Sequence, residues 1–349
     1  MIVLAGGYTM KMSKTLIGKS KGIYILSWDN KTGNMSEIGH VPLENPSYFA
    51  YHSQNNCLYV LEELAYESTP KLKVYKNQGK EGYNLIDEKF IHGAYPCHLD
   101  ISDDGQQVAV ANYGTGNAEI FNINKNGTIN NVQIIQHSGE GADASRQEGP
   151  HAHMSLFHDG DLFVTDLGLD TVKGYKKANG MYQPNPQSDL KIKPGSGARH
   201  CVFHPKKDYA YVLGEMSGDV TVFSLKDGKS QMLQTISLTP DDFNGQAGGA
   251  AIRMSKKGKF LYASERTTST ISVFKVKKES GELVVVQRIS TGGKTPRDFN
   301  IDPSGKWLVA ANQSTDNLTV FKIDKKSGVL TEKHQIKNIN TATCILWHK

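Results

Sequence analysis

No stretch of this 349-residue chain approaches the roughly 18 consecutive apolar residues of a membrane-spanning helix, and no membrane partner is expected. The N-terminus, MIVLAGGYT, offers a four-residue apolar run without a cationic lead, which reads as a strand and not as a secretory leader. Cysteine is scarce. Cys57, Cys97, Cys201 and Cys344 lie far apart with no C-x-x-C spacing. Each sits inside a strand-like run, which points to buried free thiols in a cytoplasmic protein. An excess of one charge is lacking too: 40 Lys and Arg against 35 Asp and Glu leave +5, with lysines scattered among Asn and Gly in turn-like stretches. A nucleic-acid binder concentrates its cations on one face, so no nucleic acid is expected, although the balance suits a small anionic ligand. Runs with helical spacing are hard to find, and the pattern specifies no oligomeric state.

What the chain has instead is glycine (34 residues), tyrosine (15), phenylalanine (12) and an internal repeat. Six segments share one frame: PSYFAYHSQNNCLYVLEE from Pro46, PCHLDISDDGQQVAVANYG from Pro96, PHAHMSLFHDGDLFVTDLG from Pro150, ARHCVFHPKKDYAYVLGE from Ala198, GAAIRMSKKGKFLYASER from Gly249 and PRDFNIDPSGKWLVAANQ from Pro296. Each reads as a strand, a polar turn and a second strand. Most continue into an alternating third strand such as NAEIFNI, TVKGYKK, DVTVFSL, TISVFKV or NLTVFKI. Short alternating runs bounded by Gly, Asn, Asp and Ser are antiparallel hairpins. A period of about 50 residues with about four strands per unit predicts a β-propeller.

A seventh unit is split. TATCILW (341–347) supplies a first strand without a second, while IVLA (2–5) and IYILSW (23–28) supply later strands without a first. Pairing the two chain ends in one blade covers edges that would otherwise invite another chain. The expectation is an all-β, seven-bladed propeller of four antiparallel strands per blade, one blade closed by both termini, spanning residues 1–349 as a single domain.

The frame also assigns equivalent positions. Counting seven residues back from the turn collects His98, His153, His200, Ala251 and Asp298, preceded by Cys97, Ala152, Arg199, Ala250 and Arg297. The far end of the second strand collects Glu63, Tyr113, Leu167, Glu215, Arg266 and Gln313. In a propeller the start of the first strand and the end of the second lie on the same face of the disk. These side chains therefore converge on one mouth of the central channel, a rigid setting for a small-molecule site.

The strings GARHCVFHP, AYVLGE, PDDFNGQ, LYASERTTSTISVF and PRDFNIDPSGKWLVAANQSTDNLTVF resemble the lactonase family of seven-bladed propellers, whose known members are a 6-phosphogluconolactonase and a carboxymuconate cyclase. The resemblance covers nearly the whole chain and is densest from Ala198 to Phe321. It implies a cytoplasmic enzyme that uses no metal or other cofactor and acts on a small anionic lactone, with 6-phosphogluconolactone the favoured substrate. Carried over by motif, its catalytic residues are His153, Arg199, Glu215 and Arg266. His200, His98 and Arg297 are expected to bind substrate.

Lactone opening needs a water aimed at the carbonyl, a base for its proton and positive charge where the oxyanion develops. Glu215 or His153 is the candidate base, with His200 a further base or donor. Arg199 and Arg266 would grip phosphate or carboxylate, or stabilise the oxyanion. A carboxymuconate-type cyclase and a non-enzymatic binding propeller are the competing readings; the second is disfavoured because the GH…WD pair of WD repeats is missing.

Blander assignments compete at each position. Glu215 and Arg266 also read as a salt bridge knitting neighbouring blades, and His204 reads as structural. Asp103-Asp104-Gly105, Asp159-Gly160, Asp227-Gly228 and Ser304-Gly305 read as turns without chemistry. Glu63, Asp166, Asn112 and Asn312 carry the oxygens a hard divalent cation would use, but an arginine-rich site would repel the ion and no metal is expected. The irregular stretch HSGEGADASRQEG (137–149) precedes His151 and His153 and is expected to cover the site.

Overall fold

The computed structural model describes residues 1–79, 82–226 and 229–348. Seven antiparallel sheets follow one another round a ring, and the inner strand of each touches the inner strands on either side. The inner strands are Phe49–His52, Pro96–Ile101, Ala152–His158, Ala198–Phe203, Gly249–Met254, Pro296–Ile301 and Ala342–His348; blades are numbered 1 to 7 in that order. Six blades have four strands. In blade 3, Thr171–Ala178 pairs outward with both Met181–Pro184 and the short Leu190–Lys191.

Burial falls from the second strand outward. Tyr209–Gly214, Phe260–Glu265 and Trp307–Asn312 are buried along their whole length, whereas the outermost strand of blade 4, Gln231–Ser237, has no fully buried residue. Blades stacked on both faces explain why the second strands read as continuous apolar runs and not as alternation. The core accordingly lies between blades as separate clusters, for instance Phe260, Tyr262 and Val273 of blade 5 with Phe299 and Phe321 of blade 6.

Blade 7 is composite. Ala342–His348 pairs with Ile2–Gly7, which continues to Ile23–Trp28 and Met35–Val41, so the last strand of the chain is the innermost of the blade that holds the first three. The three tryptophans of the chain meet where this blade packs on blade 6: Trp28 lies edge-on to Trp307 (6.1 Å between centroids) and to Trp347 (5.8 Å). The polar turns behave as expected, with Gly105, Gly160 and Gly305 in the left-handed region at φ +69°, +83° and +65°, where glycine carries no Cβ penalty. The Asp227-Gly228 turn lies outside the described residues.

Candidate functional site

One hydrogen bond is repeated seven times at one mouth of the channel. The backbone N–H of Glu63, Tyr113, Leu167, Glu215, Arg266 and Gln313 donates to the carbonyl of Asn45, Tyr95, His151, Gly197, Gly248 and Thr295 respectively, at 2.7–3.1 Å. Tyr8 completes the ring through Thr341 at 3.2 Å. Each accepting residue is two positions before a residue of the inner strand or the turn leading into it. A second ring follows: Ser47, Cys97, His153, Arg199, Ala250, Arg297 and Thr343. The frame thus assembles fourteen side chains from positions hundreds of residues apart.

This pattern corrects one equivalence. Counting from the turn put His153 with His98 and His200, but the mouth-side register puts it with Cys97 and Arg199. The blade 3 hairpin is two residues shorter: Met154 pairs with Thr165 where His98 pairs with Ala111. Cys97 Sγ lies 3.7 Å from His153 Nδ1, in the neighbouring blade. In five blades the pairing of inner and second strands also slips at this point, between Pro96 and His98, Ala152 and Met154, Ala198 and His200, Gly249 and Ile252, and Pro296 and Asp298. Such a bulge re-aims side chains; it explains how consecutive residues, Arg199 with His200 and Arg297 with Asp298, both line the same cavity.

Glu215 is the hub. Its Oε2 accepts from Arg199 Nε at 2.9 Å and lies 3.2 Å from Arg266 Nη2; its Oε1 accepts from Arg146 Nη2 at 2.9 Å. His153 Nε2 stands 3.8 Å from Oε2. Burial alone would raise the Glu215 pKa, but Arg266, Arg199, His153 and Arg146 together hold it well below the usual carboxylate range. Glu215 is therefore an anion whose lone pairs are already engaged. Arg199 is 2 % exposed, and burial lowers its pKa to about 10 despite Glu215, which leaves it charged at neutral pH.

The histidines are neutral. Burial and Arg199 push His153 and His200 well below 6.5, and burial with Arg253 does the same for His98. Their rings follow one another, with His98 and His153 each 5.5 Å edge-on from His200, and Tyr48 packed on His98 at 4.1 Å. Arg199 Nη1 lies 3.2 Å from His200 Nε2 and also donates to the Ala250 carbonyl.

Of the residues expected from sequence, His153, Arg199, Glu215, Arg266 and His200 meet in this cluster, and His98 adjoins it. Arg297 is in the same ring on the other side of the mouth, where its guanidinium lies 5.4 Å from the Tyr8 ring centroid. The blander role of Arg266 is also real, since its contact with Glu215 ties blade 5 to blade 4. His204 accepts from the Lys206 N–H at 3.1 Å, a turn contact. The imagined cation ligands do not converge. Asp166 accepts from His137 Nδ1 at 2.6 Å and from the His151 N–H, Asn112 donates to Glu119, Asn312 to Thr291 and Thr319, and Glu63 accepts from Tyr8.

Two residues escaped the sequence reading. Arg146 belongs to the irregular 137–149 segment and reaches over to Glu215 and to the Tyr113 hydroxyl (3.3 Å); with Arg266 it lines a cleft of about 240 Å³ above Glu215. Tyr8 sits in the split blade, where no intact repeat exposes its equivalence to Glu63. Among the described residues no helix is long and apolar enough to cross a membrane.

The chain matches the family described as Lactonase, 7-bladed beta-propeller, over residues 2–347. It is 35% identical over 294 residues to a 6-phosphogluconolactonase of Bacillus subtilis, covering 82% of this chain and 83% of that protein. A 6-phosphogluconolactonase of Formosa agariphila is 30% identical over 315 residues, 86% of each chain. The structure of the periplasmic gluconolactonase of Pseudomonas aeruginosa superposes with a TM-score of 0.89 at 27% identity, over 99% of this chain and 98% of that one. With matching spans of this length on a ring built the same way, the chain belongs to the seven-bladed β-propeller lactonase family.

Proposed function

We propose that the protein hydrolyses 6-phosphogluconolactone to the open-chain acid. The observation that carries this reading is the convergence of Arg146, Arg199 and Arg266 on Glu215 beside the neutral His153, at the mouth of a rigid channel. With Arg297, four guanidiniums face Glu63 and Glu215, and Asp298 is paired with a fifth, Arg253, so the mouth attracts an anion. The relatives named above support the substrate class. A cytoplasmic setting agrees with four cysteines that are all buried and free.

In this reading a water oxygen attacks the lactone carbonyl carbon while its proton passes to His153. The neutral ring is in its base form at pH 7, and the imidazolium that forms is stabilised by Glu215 across 3.8 Å. The oxyanion is met by the Arg199 and Arg266 guanidiniums. The ring C–O bond then breaks and its oxygen recovers the proton from His153, leaving a hydroxy acid. Glu215 is not the base: three cations spend its lone pairs, and its role is to hold the arginines in place and balance their charge.

The test is hydrolysis of freshly made 6-phosphogluconolactone, with and without EDTA. The expected result is a rate well above spontaneous hydrolysis, unchanged by the chelator and lost in Arg199→Ala. A wild-type rate equal to the spontaneous one would overturn the substrate, and loss with EDTA would overturn the metal-free chemistry.

A further inference from the structure

The Glu215 cluster draws on blades 3 to 5 and the segment before blade 3. The opposite sector of the mouth, blades 6, 7 and 1, carries a second carboxylate that the reaction above does not use. Glu63 occupies the same ring position as Glu215, but its surroundings differ. Its Oε1 accepts from the Tyr8 hydroxyl at 2.8 Å, while its Oε2 is buried without a hydrogen-bond partner, in a residue only 6 % exposed. Arg297 lies against the Tyr8 ring and, among the described residues, has no carboxylate within ion-pair distance. Ser47 Oγ is likewise buried and unpartnered.

Glu63, Arg297 and Ser47, with Arg199, His200 and an Asp298 already paired with Arg253, line a cavity of about 10 Å³ beside Tyr8. That volume holds about one oxygen atom. A phosphate or carboxylate group is too large for it and would bring a second negative charge against Glu63. A hydroxyl fits, and an O–H is what an unpaired carboxylate oxygen requires. Burial raises the Tyr8 pKa well above 10 although Arg297 opposes the shift, so Tyr8 keeps its proton and fixes which Glu63 oxygen is spent and which is left.

We propose that Glu63, oriented by Tyr8 and flanked by Arg297, accepts a hydrogen bond from a substrate hydroxyl and so selects polyhydroxylated lactones over hydroxyl-free carboxylated ones. The identity of the ligand rests on the lactonase reading; the preference for a hydroxyl rests on the cavity alone. It separates the two substrates that net charge leaves equivalent, because a carboxymuconate-type lactone offers carboxylates and no alcohol to Glu63.

The experiment compares equilibrium binding of 6-phosphogluconate and of 6-phosphohexanoate, which keeps the phosphate, the carboxylate and the chain but none of the hydroxyls, by calorimetry on the full chain. Wild type is expected to prefer the hydroxylated acid by about 10- to 100-fold, the worth of one hydrogen bond to a charged group. Glu63→Gln removes that preference by weakening the hydroxylated ligand alone. Tyr8→Phe, which leaves Glu63 in place but frees its orientation, reduces the preference and carries the test if Glu63→Gln fails to fold. Equal binding of the two acids by wild type, binding of neither, or a preference that survives in both variants overturns the assignment. Turnover of 6-phosphogluconolactone is scored separately: its absence defeats the lactonase reading while the calorimetry still decides Glu63.

Discussion

Arg199 illustrates how one side chain serves two ends. It is buried, it donates to Glu215 at 2.9 Å, and its charge adds to the burial that holds His153 and His200 neutral. Removing one partner of a buried ion pair strands the other, a cost of about 3–5 kcal/mol when nothing compensates. Here Arg146 and Arg266 remain on Glu215, so Arg199→Ala is expected to fold with a lowered unfolding temperature. Loss of one oxyanion partner should cut kcat by about 10²–10³. A variant with near wild-type kcat removes Arg199 from the chemistry. As the proposed base, His153 should set the pH dependence. Because burial and Arg199 hold its pKa well below 6.5, the base form persists as pH falls through 6.5, and activity declines only on further acidification. The profile of kcat/KM from pH 4.5 to 8, corrected for spontaneous hydrolysis, checks this; an acid limb centred at or above 6.5 excludes His153 as the base.

At the level of elements, the hairpins were legible because each blade repeats the same alternation and the same turn, so six copies reinforce a weak local signal. The convergence of Glu215 and Arg266 followed from that register alone. The His153 column did not, because a hairpin two residues shorter is invisible to counting from its turn, whereas the carbonyl of His151 two residues earlier locates it. Tyr8 was hidden by the break in blade 7, and Arg146 by lying outside the repeat altogether. The 137–149 segment has its own consequence. The Arg146 side chain is 44% exposed, and such pairs add little to stability. Arg146→Ala should therefore leave the unfolding temperature nearly unchanged while raising KM for an anionic lactone by about 3- to 10-fold, the mark of lost substrate binding. An unchanged KM would show that the segment touches Glu215 without touching substrate.

The whole ring depends on how its ends meet. The mouth is a set of fourteen positions held in place only if seven blades close, and closure is made by Ala342–His348 pairing with Ile2–Gly7. Thr343 belongs to the inner ring, and Thr341 supplies the carbonyl that seats Tyr8, so the last strand shapes the site without supplying any of the proposed catalytic groups. Deleting residues 342–349 removes the inner strand of blade 7 and leaves Ile2–Gly7 as an unpaired, largely buried apolar edge, which is a template for other chains. The truncated protein is expected to aggregate and to lose activity, read by size-exclusion chromatography and the lactone assay. A milder change asks the same question without a new edge. Trp347 packs edge-on to Trp28 against blade 6, and Trp347→Ala should cost about 3–5 kcal/mol, seen as one cooperative unfolding transition at lower temperature. Two separated transitions would instead mean that blade 7 melts by itself, and a truncated chain that stays monomeric and active would show that the site does not need the closed circle.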